Sequence, residues 1–584
     1  MASARWLLKP DPGPVVEEIA EKFGVSHILA TVIAQRVSPL TIEGVATFLR
    51  PSLKSLVSPW RMDDMDKAAT RLADAIKDSQ KVVVYGDYDT DGVTSCALLI
   101  RACRAAGYSL DYRLPSRFEE GYGISSDFAQ KAVSEKIDLV VTVDCGTSEH
   151  ENIKLMAENG VDVIVTDHHE PGDRELPQEA YAIVNPKRND SAYPFRELTG
   201  VGVAFKLAWA LYEKLSGSPK IEPHLRETLL SLLPLAAIGT IADVAPLVDE
   251  NRVIVARGLK TMHSASPGIS ALLDICRLGT TDLTARSVAY SLSPRLNAAG
   301  RMGNADLSLE LLVEDDPTKA RRLAEMLDRQ NAERQTLCQT ILDEAAEEAR
   351  QTHDVQNDPA ILVARSGWHE GVIGIVAGRL SEIFGKPAAV ISFPNGQDKG
   401  RGSARSINGL NLYQAMANSR EHLLTFGGHE LAAGFTVAKE GVEGLRHAFF
   451  RECASQIREN DIAPTLNIDA EIKLSDVNIR LVEEMELLRP VGQGNPEPKF
   501  LARGVRAAGN IQLMGAQRQH FHFNVAQGGM AYRAVVFNNL ALIPILESAG
   551  RRPLDIVFTP ALNTFYSPPR LELRIDDVRV SSGR

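Results

Sequence analysis

The six cysteines (Cys96, Cys103, Cys145, Cys276, Cys338 and Cys453) include no Cys-x-x-Cys pair. Neither a disulfide scaffold nor a zinc ribbon is expected, and a reducing compartment fits best. No stretch approaches 18 uninterrupted apolar residues, and Met1 to Pro10 has no apolar segment followed by small residues. No membrane span or secretory leader is therefore expected, and the chain reads as cytoplasmic. A P-loop, a Ser-His-Asp elbow and a nicotinamide fingerprint are also missing, which argues against a nucleotide-powered motor and against hydride transfer. There is no internal repeat and no low-complexity tract.

What is present is an ordinary globular composition: 584 residues, 44% hydrophobic and 24% charged. At roughly 150 residues per domain, the length predicts three to five domains with several buried cores. The net charge of -11 argues against a surface that grips nucleic acid everywhere. That average hides an asymmetry. From Lys499 to Arg584 there are eleven Lys and Arg against five Asp and Glu, and all but one of those cations are arginine. Arginine suits bidentate phosphate contact and stacking on bases, so this segment is a candidate nucleic-acid module.

Residues 1–80 read as a helical annex, with helical spacing in Val25–Ala34 and Met65–Ile76. From Lys81 the pattern becomes short apolar runs ending in polar clusters: Val82–Tyr85, Leu139–Val143 and Val161–Val165. Amphipathic stretches such as Asn152–Asn159 lie between them, which predicts an α/β domain with a mostly parallel sheet over 81–312. Ligands in such folds bind at the carboxyl ends of the strands. Asp316-Pro317 starts a stretch without Gly or Pro that predicts a connecting helix over 313–353. Its apolar positions hold no clean heptad, so a connector between lobes and a monomer are expected rather than a coiled-coil dimer. A second α/β-like region with two Gly-rich clusters covers 354–460. After a boundary near Pro464, short alternating runs such as His520–Val525 and Leu571–Val580 predict a small barrel or sandwich over 461–584.

The chemistry concentrates at the strand ends. GDYDTDGVTS (86–95) follows the first strand, and its alternating Asp87, Asp89 and Asp91 would project to one side of an extended segment. An Asx-rich turn would look similar, and a calcium loop would require a glutamate near its twelfth position. The second strand ends in Asp144. The third ends in Thr166-Asp167-His168-His169-Glu170, and imidazoles beside carboxylates suit manganese or a similar ion better than calcium. Asp243 follows another apolar stretch. Several carboxylates and imidazole aimed at one crevice point to two divalent ions about 3.5–4 Å apart and to hydrolysis of phosphoesters or phosphoanhydrides.

The order GDYDTDG, VDCGTS, TDHHE and GTIADVAP resembles the four signature motifs of the DHH phosphoesterase family. The resemblance continues through SPRLNAAGRMGNA (293–305), GWHEGVIGIVAGRL (367–380), GSARS (402–406), FGGHELAAGF (426–435) and RPVGQGNPEP (489–498), over nearly the whole chain. It implies a DHH catalytic domain, a long connecting helix, a DHH-associated α/β domain and a C-terminal OB-fold β-barrel. It implies two divalent ions, Mn²⁺ or Mg²⁺. Asp89 and Asp144 would hold one, with Asp87 completing or supporting that site; Asp91, Asp144, His168 and Asp243 would hold the other. His169 would sit behind the ligands or contact the scissile phosphate. The implied activity is that of the family's exonucleases specific for single-stranded DNA, working 5′ to 3′ and releasing 5′-mononucleotides in recombination and mismatch repair. A helicase and a single-stranded-DNA-binding protein are the implied partners, although no motif for either occurs.

On the facing side, Ser403, Arg405, Gly427, Gly428 and His429 are candidate phosphate ligands. Arg117 and Arg301 are similar candidates, and Arg295 is a weaker one. Phe521, Phe523, Tyr532, Phe537, Phe565 and Tyr566 are available to an OB fold for stacking, most of them expected in the core and one or two as platforms. Two competing readings are a DHH hydrolase of short oligonucleotides, cyclic dinucleotides or pyrophosphate, and a non-catalytic DNA-binding scaffold. The first should lack the basic C-terminal module and the second should have lost metal ligands.

Overall fold

Residues 4–581 are described here, apart from 119, 122, 173–174, 281 and 461–464. The boundary expected near Pro464 lies outside the described residues. The computed structural model opens with a strand, β1 (Arg5–Leu8), where the sequence predicted only helix. Helices Val15–Phe23, His27–Ala34, Ile42–Leu49 and Met65–Lys77 follow.

The first α/β lobe is built on β2 (Val82–Gly86), β3 (Asp111–Arg113), β4 (Leu139–Val143), β5 (Asp162–Thr166) and β6 (Ala182–Val184), all parallel, in the order β3-β2-β4-β5-β6. The three central strands are rich in valine and nearly wholly buried, as a sheet covered on both faces requires. Helices Thr90–Ala105, Gly200–Ser216 and Leu233–Ala242 pack together on one face and belong to the largest core. The helical stretch Pro223–Ala242 is long and apolar enough to cross a membrane by length and composition, but 67% of its apolar window is buried in this lobe, which makes it a core element.

The helix Pro317–Thr352 has 36 residues and spans about 54 Å at 1.5 Å per residue. Asp316 caps it by accepting from Thr318 N and Lys319 N. Its first half contributes Ala320, Ala324 and Leu327 to the core of the first lobe. Its second half contributes Cys338, Ile341, Leu342 and Ala345 to the next core. The facing lobe beyond it carries β7 (Ile361–Ser366), β8 (Ala388–Phe393), β9 (Lys399–Arg405), β10 (Thr425–His429) and β11 (Ala432–Ala438) in the order β10-β11-β9-β8-β7. Only β7 and β8 run parallel; the other pairs are antiparallel.

Strands β12 (Thr465–Ile468) and β13 (Ala470–Glu471) lead into β14 (Phe500–Met514), β15 (His520–Gln527), β16 (Met530–Val536), β17 (Leu554–Asn563) and β18 (Arg570–Val580). The sheet order β14-β15-β16-β18-β17 is closed by a further β14–β17 pairing, giving the five-stranded barrel of an OB fold.

The N-terminal annex divides between two lobes. Met65, Leu72 and their neighbours pack into the core of the first lobe, whereas Val16, Ile19, Leu29, Ile33 and Phe48 share one core with Phe500, Phe521 and Phe558 of the barrel. β1 pairs in parallel with β12. The arginine excess of the barrel is also partly neutralised within it: Arg503 pairs with Glu471 and Asp555, Arg533 with Glu572, and Arg574 with Glu497.

Candidate active site

The alternating aspartates do not form one extended row. Asp89 is an N-cap, its Oδ1 accepting from Asp91 N and Gly92 N, so the helix begins at Thr90 and turns Asp91 away from its neighbours. Asp87 and Asp89 face Asp144, whereas Asp91 faces His168 and Asp243. In each of these groups, and in a third made of Asp144, His168 and His169, the possible ligand atoms lie within 4.8 Å of one another. Asp144 and His168 each belong to two groups.

Asp144 stands at the end of β4 with φ of +61°, a left-handed conformation that is uncommon for a non-glycine residue. Such strain is held by its surroundings; here Asp144 N donates to Thr166 O at 3.0 Å. A Cβ on Gly200 would lie 2.6 Å from the Asp144 Cβ, so only glycine permits this approach. The helix beginning at Gly200 points its first amides at Asp91, Gly200 N donating to Oδ2 (2.7 Å) and Val201 N to Oδ1 (3.0 Å). His168 Nε2 is 3.1 Å from Asp144 Oδ1 and 3.8 Å from Asp91 Oδ2, and its Nδ1 is 4.0 Å from Asp243 Oδ2.

These carboxylates raise one another's proton affinity. Burial first, then repulsion from Asp89, pushes Asp87 up to about 8. The same two causes push Asp243 up to about 7. Burial and neighbouring acids lift Asp91 and Asp144 well above the usual range. Burial holds the His168 imidazole down at about 3, leaving it neutral. Asp87 Oδ1 is buried with no hydrogen-bond partner among the described residues.

Asp167, to which the sequence reading gave no role, organises the histidine pair. It accepts from Thr147 N, His168 N and His169 N and bonds His169 Nδ1 at 2.8 Å. Burial works against the Asp167 charge, yet the His169 cation and these donors hold its carboxyl well below the ordinary range. Burial likewise opposes the His169 charge, and Asp167 overrides it, raising His169 to about 9. The Thr-Gly-x-Gly helix start at 199–202 and Asn297, whose Oδ1 accepts from Thr90 N, were also missed. Gly-x-Gly after a helix-capping threonine was the available signal.

Facing this acid cluster is a basic one. A cavity of about 610 Å³ between the lobes is lined by Tyr88, Arg117, Ile373, Ser403, Gly427 and others. Arg405 Nη1 donates to Ser403 Oγ (3.0 Å), and Arg117 lies 5.2 Å over the Tyr88 ring. Burial, then repulsion from Arg117, Arg334 and Arg405, lowers Arg301 to about 10, and burial with Arg117 lowers Arg405. Burial, Arg405 and, more weakly, His169 lower His429, so the facing lobe feels the charges of the catalytic one. Arg334, on the connecting helix, was not anticipated. Gly428 is accounted for by its hairpin, where a Cβ would meet Ala432 O at 2.3 Å. Arg295 is engaged by Asp328.

A larger cavity of about 1140 Å³ extends from Val244 and Tyr290 past Arg301 and Arg334 to Phe537 and Arg574 of the barrel. Phe521 and Phe523 are buried, as alternation predicts, whereas Phe537 is half exposed in this cavity and Phe565 is fully exposed at the β17–β18 hairpin.

Comparison with known proteins gives a consistent result across the chain. Family profiles match for the DHH family N-terminal domain over 81–238, the DHHA1 domain over 358–455 and the RecJ OB domain over 468–577. The single-stranded-DNA-specific exonuclease RecJ of Bacillus subtilis is 35% identical, covering 99% of this chain and 71% of that protein. Its Escherichia coli counterpart is 33% identical, covering 91% and 92%. The crystal structure of RecJ in complex with Mn²⁺ from Thermus thermophilus superposes with a TM-score of 0.82 at 30% identity, covering 100% of this chain and 81% of that one. The Mg²⁺ complex from the same source gives 0.76 at 28% identity, covering 99% and 79%.

Proposed function

The chain belongs to the RecJ family of single-stranded-DNA-specific exonucleases, and we propose from that premise that it degrades single-stranded DNA from the 5′ end by two-metal hydrolysis, releasing 5′-mononucleotides in DNA recombination and repair. The observation that carries this reading is the pair of donor groups, Asp87-Asp89-Asp144 and Asp91-His168-Asp243, lying beside an arginine-lined cavity.

The residues fit two divalent ions. Buried carboxylates that raise one another's proton affinity, an unpartnered Asp87 Oδ1 and a neutral His168 are what cations would relieve. Asp87, Asp89 and Asp144 would hold one ion and Asp91, Asp144, His168 and Asp243 the other, with Asp144 the bridge. The mixed oxygen and nitrogen donors suit Mn²⁺ and accept Mg²⁺. Bound there, the pair supplies Lewis acidity to the phosphodiester and lowers the pKa of an attacking water.

The chain's own side chains do the rest. Arg117, Ser403, Arg405 and the Gly427 backbone hold the 5′ phosphate, and His429 adds a donor from the same lobe. Tyr88 lines that cavity while standing between Asp87 and Asp89, so the phosphate grip adjoins the metal donors and leaves room for a short 5′ product. Asp167 orients His169 toward the scissile phosphate. Arg301 and Arg334 line the larger cavity, which leads from the barrel and accepts the trailing strand, with Phe537 a stacking platform. A monomer in the cytoplasm, working beside a helicase and a single-stranded-DNA-binding protein, completes the proposal.

The test is digestion of a single strand of about 30 nucleotides labelled at either end, with a duplex control, in Mn²⁺, Mg²⁺ or chelator. Metal-dependent release of mononucleotides from the 5′ end of the single strand alone is expected. Survival of the strand while dinucleotides are hydrolysed would transfer the site to a small substrate, and tight binding without cleavage would make the chain a scaffold.

A further inference from the structure

Asp243 is placed differently from Asp89 and Asp91. Asp91 is fixed by two amides and Asp89 by its own helix cap, but among the described residues no hydrogen bond reaches the Asp243 carboxylate. Its position depends on its backbone, at the end of helix Leu233–Ala242. The next residue, Val244, adopts φ of +59°, left-handed and unusual for a β-branched side chain, so something beyond the helix must hold this turn.

What holds it comes from the other end of the sequence. Leu247 N donates to Gln493 O at 2.8 Å, four residues after Asp243. On either side of Gln493, a Cβ on Gly492 would lie 2.7 Å from Leu247 Cδ1, and one on Gly494 would lie 3.1 Å from Pro246 Cβ. Gly494 also has φ of +71°, so a side chain there is strained whatever the space. The 488–495 loop therefore lies in direct contact with the turn that follows Asp243.

That loop is itself held rigidly. The buried Arg252 guanidinium donates to Leu487, Leu488, Arg489 and Pro490 carbonyls and, through Nε, to Phe48 O. Asn495 Nδ2 donates to Leu488 O (2.7 Å) and Pro490 O (2.8 Å), and its Oδ1 accepts from Arg36 Nη1. Three segments, the N-terminal annex, the catalytic lobe and the loop before the barrel, meet at one guanidinium and one carboxamide.

We propose that the 488–495 loop, fixed by Arg252 and Asn495, is a positioning element for the metal centre that sets the turn carrying Asp243. The inference rests on the reading of Asp243 as a metal ligand. Its consequence is that the segment leading into the barrel does more than link a DNA-binding module: it tunes the affinity of one of the two metal sites.

The experiment is calorimetric titration of the full-length, metal-free protein with MnCl₂ and no DNA, alongside thermal melting. The unsubstituted protein should bind two ions, and Asp243→Asn should lose or weaken one of them. Gly494→Ala and Asn495→Ala should weaken that same site by about 10–100-fold, the range for supports of metal ligands, while the other site keeps its affinity. Their kcat should recover at high Mn²⁺. Lys9→Ala, which loosens the same junction through Asp469 without touching the loop, should leave both sites unchanged. If either variant fails to melt cooperatively, Arg252→Lys, which keeps the charge but not the five-fold donor set, takes its place. Variants that bind both ions as the parent does, while Asp243→Asn loses one, overturn the positioning role alone. Full binding by Asp243→Asn overturns the ligand assignment and the inference with it.

Discussion

The catalytic and facing lobes present mirror-image problems in electrostatics. On one side, Asp87, Asp91 and Asp144 are buried and Asp243 stands at the open edge of the same cluster, and desolvation with mutual repulsion raises the proton affinity of all four. On the other, Arg301 and Arg405 are partly buried near Arg117 and Arg334, and the same two causes lower theirs. Neither cluster is explained by stability, because like charges in low dielectric oppose folding. Each becomes favourable when its counter-charge arrives, a pair of cations for the acids and a phosphate for the guanidinium groups. The difference teaches that the two halves of the site are poised separately, one for the catalyst and one for the substrate.

The sharpest way to break that division is Asp144→Ala, which removes the residue common to two donor groups. Hydrolysis should disappear while single-strand binding, measured by fluorescence anisotropy, stays near that of the parent. Persistent cleavage by the purified variant would reject the two-metal arrangement.

Truncation at residue 463 is the next largest effect. Because Val16, Ile19, Leu29 and Phe48 share a core with the barrel, the truncated chain exposes that apolar face and should aggregate. Removing residues 1–50 as well should restore a soluble catalytic core with weaker, less salt-dependent DNA binding. Equal solubility of the two forms by gel filtration would refute the shared core.

Arg405→Ala tests the substrate half alone. Leaving a buried phosphate without its guanidinium partner should cost about 2–5 kcal/mol in kcat/KM, mostly through KM. Inorganic phosphate should raise the Tm of the parent more than that of the variant, while Mn²⁺ should stabilise both equally.

The acid half can be isolated by pH. Asp87 and Asp243 have folded pKa values of about 8 and about 7, above their unfolded values, so their contribution is fully present below the unfolded pKa and is lost as pH rises through the folded one. In chelator, Tm should therefore fall between pH 6 and pH 8. Excess Mn²⁺ should raise Tm and flatten that slope, since a ligand that binds only the folded state stabilises it by mass action. A slope unaffected by Mn²⁺ would separate these carboxylates from any metal. The smallest expected effect is that of Phe537→Ala, about 1–3 kcal/mol in strand affinity with kcat unchanged.

Much of the catalytic lobe was legible because its signals are local. Valine-rich runs ending in Asp87, Asp144 and His168 mark parallel strands, and the acidic group at each end falls on the functional edge. The 36-residue helix was legible for the same reason, from its Asp-Pro start and the lack of Gly and Pro. The alternating row of Asp87, Asp89 and Asp91 misled, since alternation predicts one face only in extended chain and a helix begins at Thr90. Asp167 was overlooked because a carboxylate that orients a histidine is indistinguishable, in sequence, from one that binds metal. The charge excess of the last segment overstated its free cations, because Arg503, Arg533 and Arg574 find acidic partners far away in the chain.

By itself, then, the sequence determined the strands, the connecting helix, and the residue types delivered to the site, since each depends on neighbours within a few turns of chain. Only the tertiary structure decided that Asp91 and Asp243 meet at His168, that four arginines from four separate elements converge, and that β1 pairs with β12. It alone decided that the 488–495 loop lies against the turn after Asp243. These arrangements join residues far apart in the chain, and they follow from how buried surfaces fit and where buried charges find partners, quantities that no local pattern of residues encodes.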